Sequence, residues 1–206
     1  MSGQAHQAQL EALLRHPSLW RGRGAAALES FSTGFAALDA ALPGGGWPRQ
    51  GLIEIITTGS GHGELTLWNP LIRYLTHGES PRCCAFIAPP FELFAPAWRA
   101  AGVRLDRLLV ARAAEPLWAL EQALQSGVCA MAFAWPERAG MTALRRLALA
   151  AARGAALGVL IRPLRALATP TAATLRLLAR RTATHLRLEL LKGRGIAPRS
   201  IELALP

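Results

Sequence analysis

The residues whose types and spacing could do chemistry are Gly59, Ser60, Gly61, His62 and Gly63, a loop between an apolar run (Leu52, Ile53, Ile55, Ile56) and the start of an amphipathic stretch. Strand, glycine loop and helix is a phosphate-binding layout, in which successive backbone N–H groups and the positive helix end surround an anion. A nucleotide-hydrolysing loop also needs Gly, four residues, Gly, Lys and then Ser or Thr. With Gly61 as the second glycine, Ile56 falls at the first, His62 at the lysine and Gly63 at the hydroxyl. One register later, Thr57, His62, Gly63 and Glu64 miss every position. The loop keeps the shape of a nucleotide site and lacks the groups that neutralise a triphosphate. A protonated His62 could touch a phosphate, but a lone His in a glycine loop reads more readily as a tolerated polar surface residue.

No other constellation replaces that chemistry. Ser60 with His62, and Glu115 with Glu121, have no third group to complete a triad or dyad, so no catalytic residue is assigned. No Cys or His pair has zinc-site spacing, and no metal or cofactor is expected. Cys83 and Cys84 are adjacent on an extended run and point to opposite faces, and with Cys129 they fit a reduced compartment. Trp47, Trp68, Trp98, Trp118 and Trp135 sit among apolar neighbours, which favours packing over stacking against bases.

The elements that must position the loop follow from hydrophobic periodicity. A helix is predicted at 64–77, then apolar strands at 83–88, 108–113, 129–135 and 158–162, separated by helices near 91–102, 115–125 and 142–153. Near-continuous apolar strands alternating with helices predict an α/β fold with a mostly parallel sheet covered on both faces. From His185 the chain alternates, turns at 193–198 and returns, which predicts an antiparallel strand pair at the C-terminus. Upstream, Leu10, Leu13 and Leu14 lie on one helical stripe at 4–20, followed by a glycine-bearing connector. Residues 1–29 therefore form an N-terminal helix and connector, packed on the core or free to dock elsewhere, and residues 30–206 form one domain.

The 206 residues carry 23 Lys and Arg against 13 Asp and Glu, a net charge of +10. From Met141 onward twelve basic residues face two acidic ones, so the last third holds a charge equal to the whole chain's. That is an electrostatic footprint for nucleic acid or an acidic protein, set against the plainer reading of an arginine-rich genome. The N-terminus is polar and no apolar run is long enough to span a bilayer, so secretion and insertion are not expected, and a cytoplasmic, nucleoid-associated protein is.

Ser32-Thr33-Gly34, Leu38-Asp39, Gly45-Gly46, Pro48 and Ile53-Glu54-Ile55 resemble the segment that leads into the phosphate loop of RecA recombinases. Cys84 to Ile87, Gly102-Val103, Leu108-Leu109, Ser126-Gly127 and the Lys192-Gly193-Arg194 turn with Ile196-Ala197-Pro198 continue the match in order over residues 30–206. The LDAALPGGGWP run, APPF before APAWRAAGV, ALEQALQSG, WPERA and KGRG resemble more specifically the degenerate RecA-like family of ImuA, related to the division inhibitor SulA. The resemblance implies a RecA-like core. It puts the catalytic glutamate at about Pro90 and the magnesium-linked aspartate near Trp135, which reads as a pseudo-ATPase and not an enzyme. It also implies that Lys192 and Arg194 reach a subunit boundary, or else form a solvated turn, and that residues 162–174, with Arg162 and Arg165, occupy the place of a DNA-binding loop, or else form a plain surface loop. Arg199 is expected beside them on an exposed turn, the set serving DNA or a partner.

The function implied is a non-catalytic accessory role in SOS-induced translesion DNA synthesis. The chain would bridge single-stranded DNA or RecA and an error-prone polymerase complex with an ImuB-type protein, in an unspecified oligomeric state. Two alternatives stand beside it. One is a SulA-like inhibitor of the tubulin-like division protein, although SulA-type chains resemble only residues from about 51 to 163. The other is a working ATPase with an unusual loop.

Overall fold

A computed structural model describes residues 29–59, 61, 63–78, 80–182, 184–195 and 199–204. The helix expected at 4–20 lies outside them, as does the connector after it up to residue 28. The chain opens with a short antiparallel pair, β1 (Ser30–Phe31) with β2 (Trp47–Pro48), around a one-turn helix α1 (Ala36–Asp39). This lead-in is knitted locally. Asp39 Oδ1 accepts from the Thr33 amide at 2.7 Å, and Asp39 Oδ2 accepts from Ser32 Oγ at 2.7 Å. Gly34, at φ +81°, lets the backbone pass over Pro70, where a Cβ would come within 2.6 Å of that ring.

The main sheet has eight strands: β3 (Gly51–Thr57), β4 (Cys83–Ile87), β5 (Leu108–Ala111), β6 (Cys129–Ala134), β7 (Leu157–Pro163), β8 (Leu175–Arg181), β9 (His185–Lys192) and β10 (Arg199–Ala204). Their spatial order is β10-β9-β8-β3-β7-β6-β4-β5. The six strands from β8 to β5 in that order are parallel, while β9 and β10 run antiparallel at one end. The fold is thus α/β, mostly parallel, with an antiparallel C-terminal pair, as the periodicity predicts.

Helices cover both faces. Ile53 and Ile55 point into one core with α1, α2 (Asn69–His77) and α3 (Ala95–Ala100), through Leu38, Leu71, Ile72 and Trp98. Leu52 and Leu160 point into the other with α4 (Pro116–Gln125) and α5 (Met141–Arg153), through Leu120, Leu124, Leu144 and Leu147. Cys84 enters the first core and Cys83 packs on the second, as adjacent strand positions must. Burial pushes the Cys84 thiol up to about 12, which leaves it inert as a nucleophile.

Three expectations change, one being the helix near 91–102, which is helical only over Ala95–Ala100 and leaves Phe91 to Phe94 outside it. The helix expected from Glu64 begins at Asn69, after a 3-10 turn at Thr66–Trp68. Pro70 lacks the N–H that would close an earlier α-turn, and its ring crowds the carbonyl four residues back. The third change is β8, which the periodicity leaves unassigned. Its sequence LRLLARR puts an arginine inside an apolar run, and a strand there makes sense only once a buried partner for Arg176 is known.

Candidate functional site

The glycine loop leaves the C-terminal end of β3. Gly61 and Gly63 take φ values of +82° and +85°, the left-handed region that glycine enters without a Cβ penalty. Ser60 and His62 lie outside the described residues. The Gly61 amide donates to Glu64 Oε1 at 2.9 Å, and Glu64 is only 3% exposed. A carboxylate of the chain thus sits on a loop amide of the kind a phosphate would need, in the manner of a capping box, where a side chain three residues on reaches back to an N–H. The first α-helical residue, Asn69, comes five positions after Glu64, so the positive end of α2 is set back from the glycines.

Beside this loop lies a pocket of about 340 Å³ lined by Gly61, Gly63 and Glu64 together with Pro90 and Trp135. The latter two are the positions where the RecA resemblance places carboxylates. The wall is aromatic and fixed to the core. Trp135 stacks on Phe133 at 6.4 Å, Phe133 on Phe86 at 4.9 Å, and Trp98 meets Phe86 edge-on at 5.4 Å. Phe91 and Phe94 complete the rim at 66% and 69% exposed. The charged lining residues among those described are Glu64 and Glu92, the latter accepting from Arg112 Nη2 at 3.1 Å. Among the described residues the lining can accept apolar or cationic groups and offers a phosphate no cation.

The structure does not bring the basic candidates together. Arg162 is a correction: it is buried, and its Nη1 donates to Glu54 Oε1 at 2.6 Å across β7 and β3. Glu54 Oε2 also lies 3.0 Å from Arg176 Nε on β8, so one fully buried carboxylate holds two guanidinium groups. Arg176 in turn donates to the carbonyls of Ala166 and Thr169, and Arg162 to that of Ala139 at 3.4 Å. Residues 164–168 are therefore a 3-10 turn pinned to the sheet, not an unpinned loop.

Arg165 is exposed at the C-terminal end of β7 and pairs with Glu137 at 2.7 Å. Lys192 closes β9 at the opposite end of the sheet, donating to the Thr171 carbonyl at 3.0 Å. Half-buried Arg194 lines a separate cleft there with Arg49 and Arg82. Arg199 opens β10 and donates to the Ala40 and Ala41 carbonyls at the end of α1, so it ties the lead-in to the sheet as well as facing solvent. Sequence reasoning missed Glu54, Arg176, Glu64 and the Phe91–Phe94 rim. Of these only Glu64 carries a local signal, its spacing of three from Gly61. Among the tryptophans, Trp47 and Trp68 are buried and stacked at 4.3 Å, whereas Trp118 departs from the packing expectation at 57% exposed.

No family model matches the chain. The chain is 34% identical over 137 residues to Protein ImuA of Caulobacter vibrioides, in each of two strains, the match covering 63% of this chain and 56% of the relative. It thus spans about half the length of the curated relatives it matches. Among solved structures it is similar to SulA from Pseudomonas aeruginosa, with a TM-score of 0.45 and 29% identity over 54% of this chain and 97% of that one. Over those 137 residues the chain is similar to ImuA, the family whose motifs it resembles.

Proposed function

We propose that the chain is a non-catalytic accessory protein of SOS-induced mutagenesis, in which residues 30–206 form a degenerate RecA-like domain that has exchanged nucleotide chemistry for partner binding. The observation that carries this reading is the Glu64 carboxylate on the Gly61 amide, beside a pocket where Pro90 and Trp135 stand at the family's carboxylate positions, in a chain similar to ImuA. ATP hydrolysis needs a cation on the phosphates, a carboxylate-held metal and a group that orients water. The lining offers phosphate two carboxylates instead.

The chain's role is to hold single-stranded DNA or RecA near an error-prone polymerase complex with its ImuB-type component. Arg162 leaves the expected DNA-contact set because Glu54 claims it. Arg165, Lys192, Arg194 and Arg199 stay in it, joined by Arg180, Arg181 and Arg187. Arg180 and Arg187 are directly opposite on β8 and β9, both exposed, with Glu202 3.6 Å from Arg187. Like charges in register destabilise a sheet pair, and a bound polyanion would relieve that.

The test is anisotropy of labelled single-stranded DNA across a salt series. Binding should weaken steeply with salt, and each lost phosphate contact should reduce the log–log slope by about 0.7. Replacing Arg180, Arg181 and Arg187 by Ala should flatten the slope accordingly. No DNA binding, together with inhibition of polymerisation of the tubulin-like division protein, would transfer the chain to the SulA-like reading.

A further inference from the structure

The pocket beside the glycine loop has a composition of its own. Pro90, Phe91, Phe94, Trp98 and Trp135 supply flat apolar faces, and Glu92 supplies a carboxylate at the mouth. Phe91 and Phe94 are large side chains held mostly in solvent on the short segment between β4 and α3, although the core below is closely stacked. Contiguous exposed aromatic surface at the rim of a pocket marks an interaction site. The volume, about 340 Å³, lies at the small end of ligand pockets and suits one long side chain with part of a neighbour.

Charge selects the occupant. With Glu64 and Glu92 as the charged lining groups among the described residues, the pocket disfavours anions and favours a cation. Aromatic and proline faces accept a planar guanidinium by stacking and by the ring quadrupole, and a carboxylate can take its N–H groups in pairs. Glu92 is already engaged by Arg112, but both side chains are more than 80% exposed, so this pair is weak and exchangeable. Arg112 shows the chemistry on a small scale: Glu92 already accepts from a guanidinium at the pocket mouth.

We propose that this pocket is a docking site for a protein partner that inserts an arginine flanked by apolar side chains, the guanidinium lying against the aromatic wall and pairing with Glu92 in place of Arg112. None of the residues of the DNA-contact set lines this pocket, and the site does not depend on which partner the mutagenesis reading names.

The experiment uses the full chain with nitrogen-15 indole resonances, assigning Trp98 and Trp135 by single Trp→Phe variants. The probes are Ac-Ile-Arg-Ile-NH2, its Gln counterpart Ac-Ile-Gln-Ile-NH2, and ATP. The arginine peptide should shift the Trp98 and Trp135 signals saturably and bind about tenfold tighter than the glutamine peptide, the sum of an exposed ion pair and a cation–π contact. Glu92→Lys should abolish that preference, Phe94→Ala should weaken both peptides, and Arg112→Ala should strengthen the arginine peptide alone. All three positions are exposed, so circular dichroism should be unchanged. Equal binding of the two peptides, or no saturable shift up to about 10 mM, overturns the proposal. A shift of the same indoles by ATP at lower concentration also overturns it, in favour of a nucleotide site.

Discussion

Glu54 and Glu64 are the two buried carboxylates among the described residues, and they do different work. Glu54 sits mid-strand on β3 and gathers Arg162 from β7 and Arg176 from β8, partners more than a hundred positions away in sequence. Glu64 closes the loop after the same strand by accepting from an amide three residues back. The first is a tertiary clamp: it fixes three strands, and through Arg176 it fixes the turn at 164–168. The second shapes a site. It spends a charge on a backbone group that the loop would otherwise present to a ligand. The same side chain, ten positions apart, ties three strands together in one case and closes a single loop in the other.

The comparison can be broken at its strong end first. Glu54→Ala leaves two buried guanidinium groups without a counter-charge and should cost about 3–5 kcal/mol in urea unfolding, because breaking a buried pair strands its partner. Replacing all three members by Leu, Met and Met should recover most of that loss, since a packed apolar trio carries no desolvation penalty. A triple variant as unstable as the single one would show that the charges also specify strand order. On the opposite face of β3, Ile53→Ala should cost about 2–5 kcal/mol by leaving a cavity among α1, α2 and the sheet. A fully stable Ile53→Ala would mean that this face of β3 is not tightly packed.

Glu64→Gln should be milder, about 1–2 kcal/mol, since one charge-assisted bond to an amide becomes a neutral one. Its sharper signature is local: hydrogen exchange at the Gly61 amide should accelerate while exchange along β3 stays unchanged. Uniform acceleration would place Glu64 with Glu54 as a fold residue and erase the distinction. Smallest is Arg199→Ala, which should lower stability by about 0.5–1.5 kcal/mol through the lost bonds to the Ala40 and Ala41 carbonyls. An effect on DNA binding with none on stability would return Arg199 to a purely interfacial role.

Most strands and helices were legible because their apolar spacing is local information. Runs such as Cys129–Ala134 are apolar throughout because both faces are covered, and α5 repeats its leucines at helical spacing. The glycine loop was legible for the same reason, since Gly59, Gly61 and Gly63 are close neighbours in sequence. β8 was not, because Arg176 looks like surface until Glu54 is placed beside it. Arg162 was misjudged by the same mechanism: charge in a sequence reads as exposure, and only a partner from a distant strand can make it core.

By itself, then, the sequence determined the alternating architecture, the antiparallel ending, a glycine loop without a lysine and the ImuA-like order of motifs, all properties of neighbouring residues. Tertiary structure alone decided which arginines are buried, that Pro90 and Trp135 join one aromatic pocket, and that the basic candidates lie at opposite ends of the sheet. Those outcomes depend on the strand order β8-β3-β7-β6-β4, which brings together residues that periodicity treats as independent.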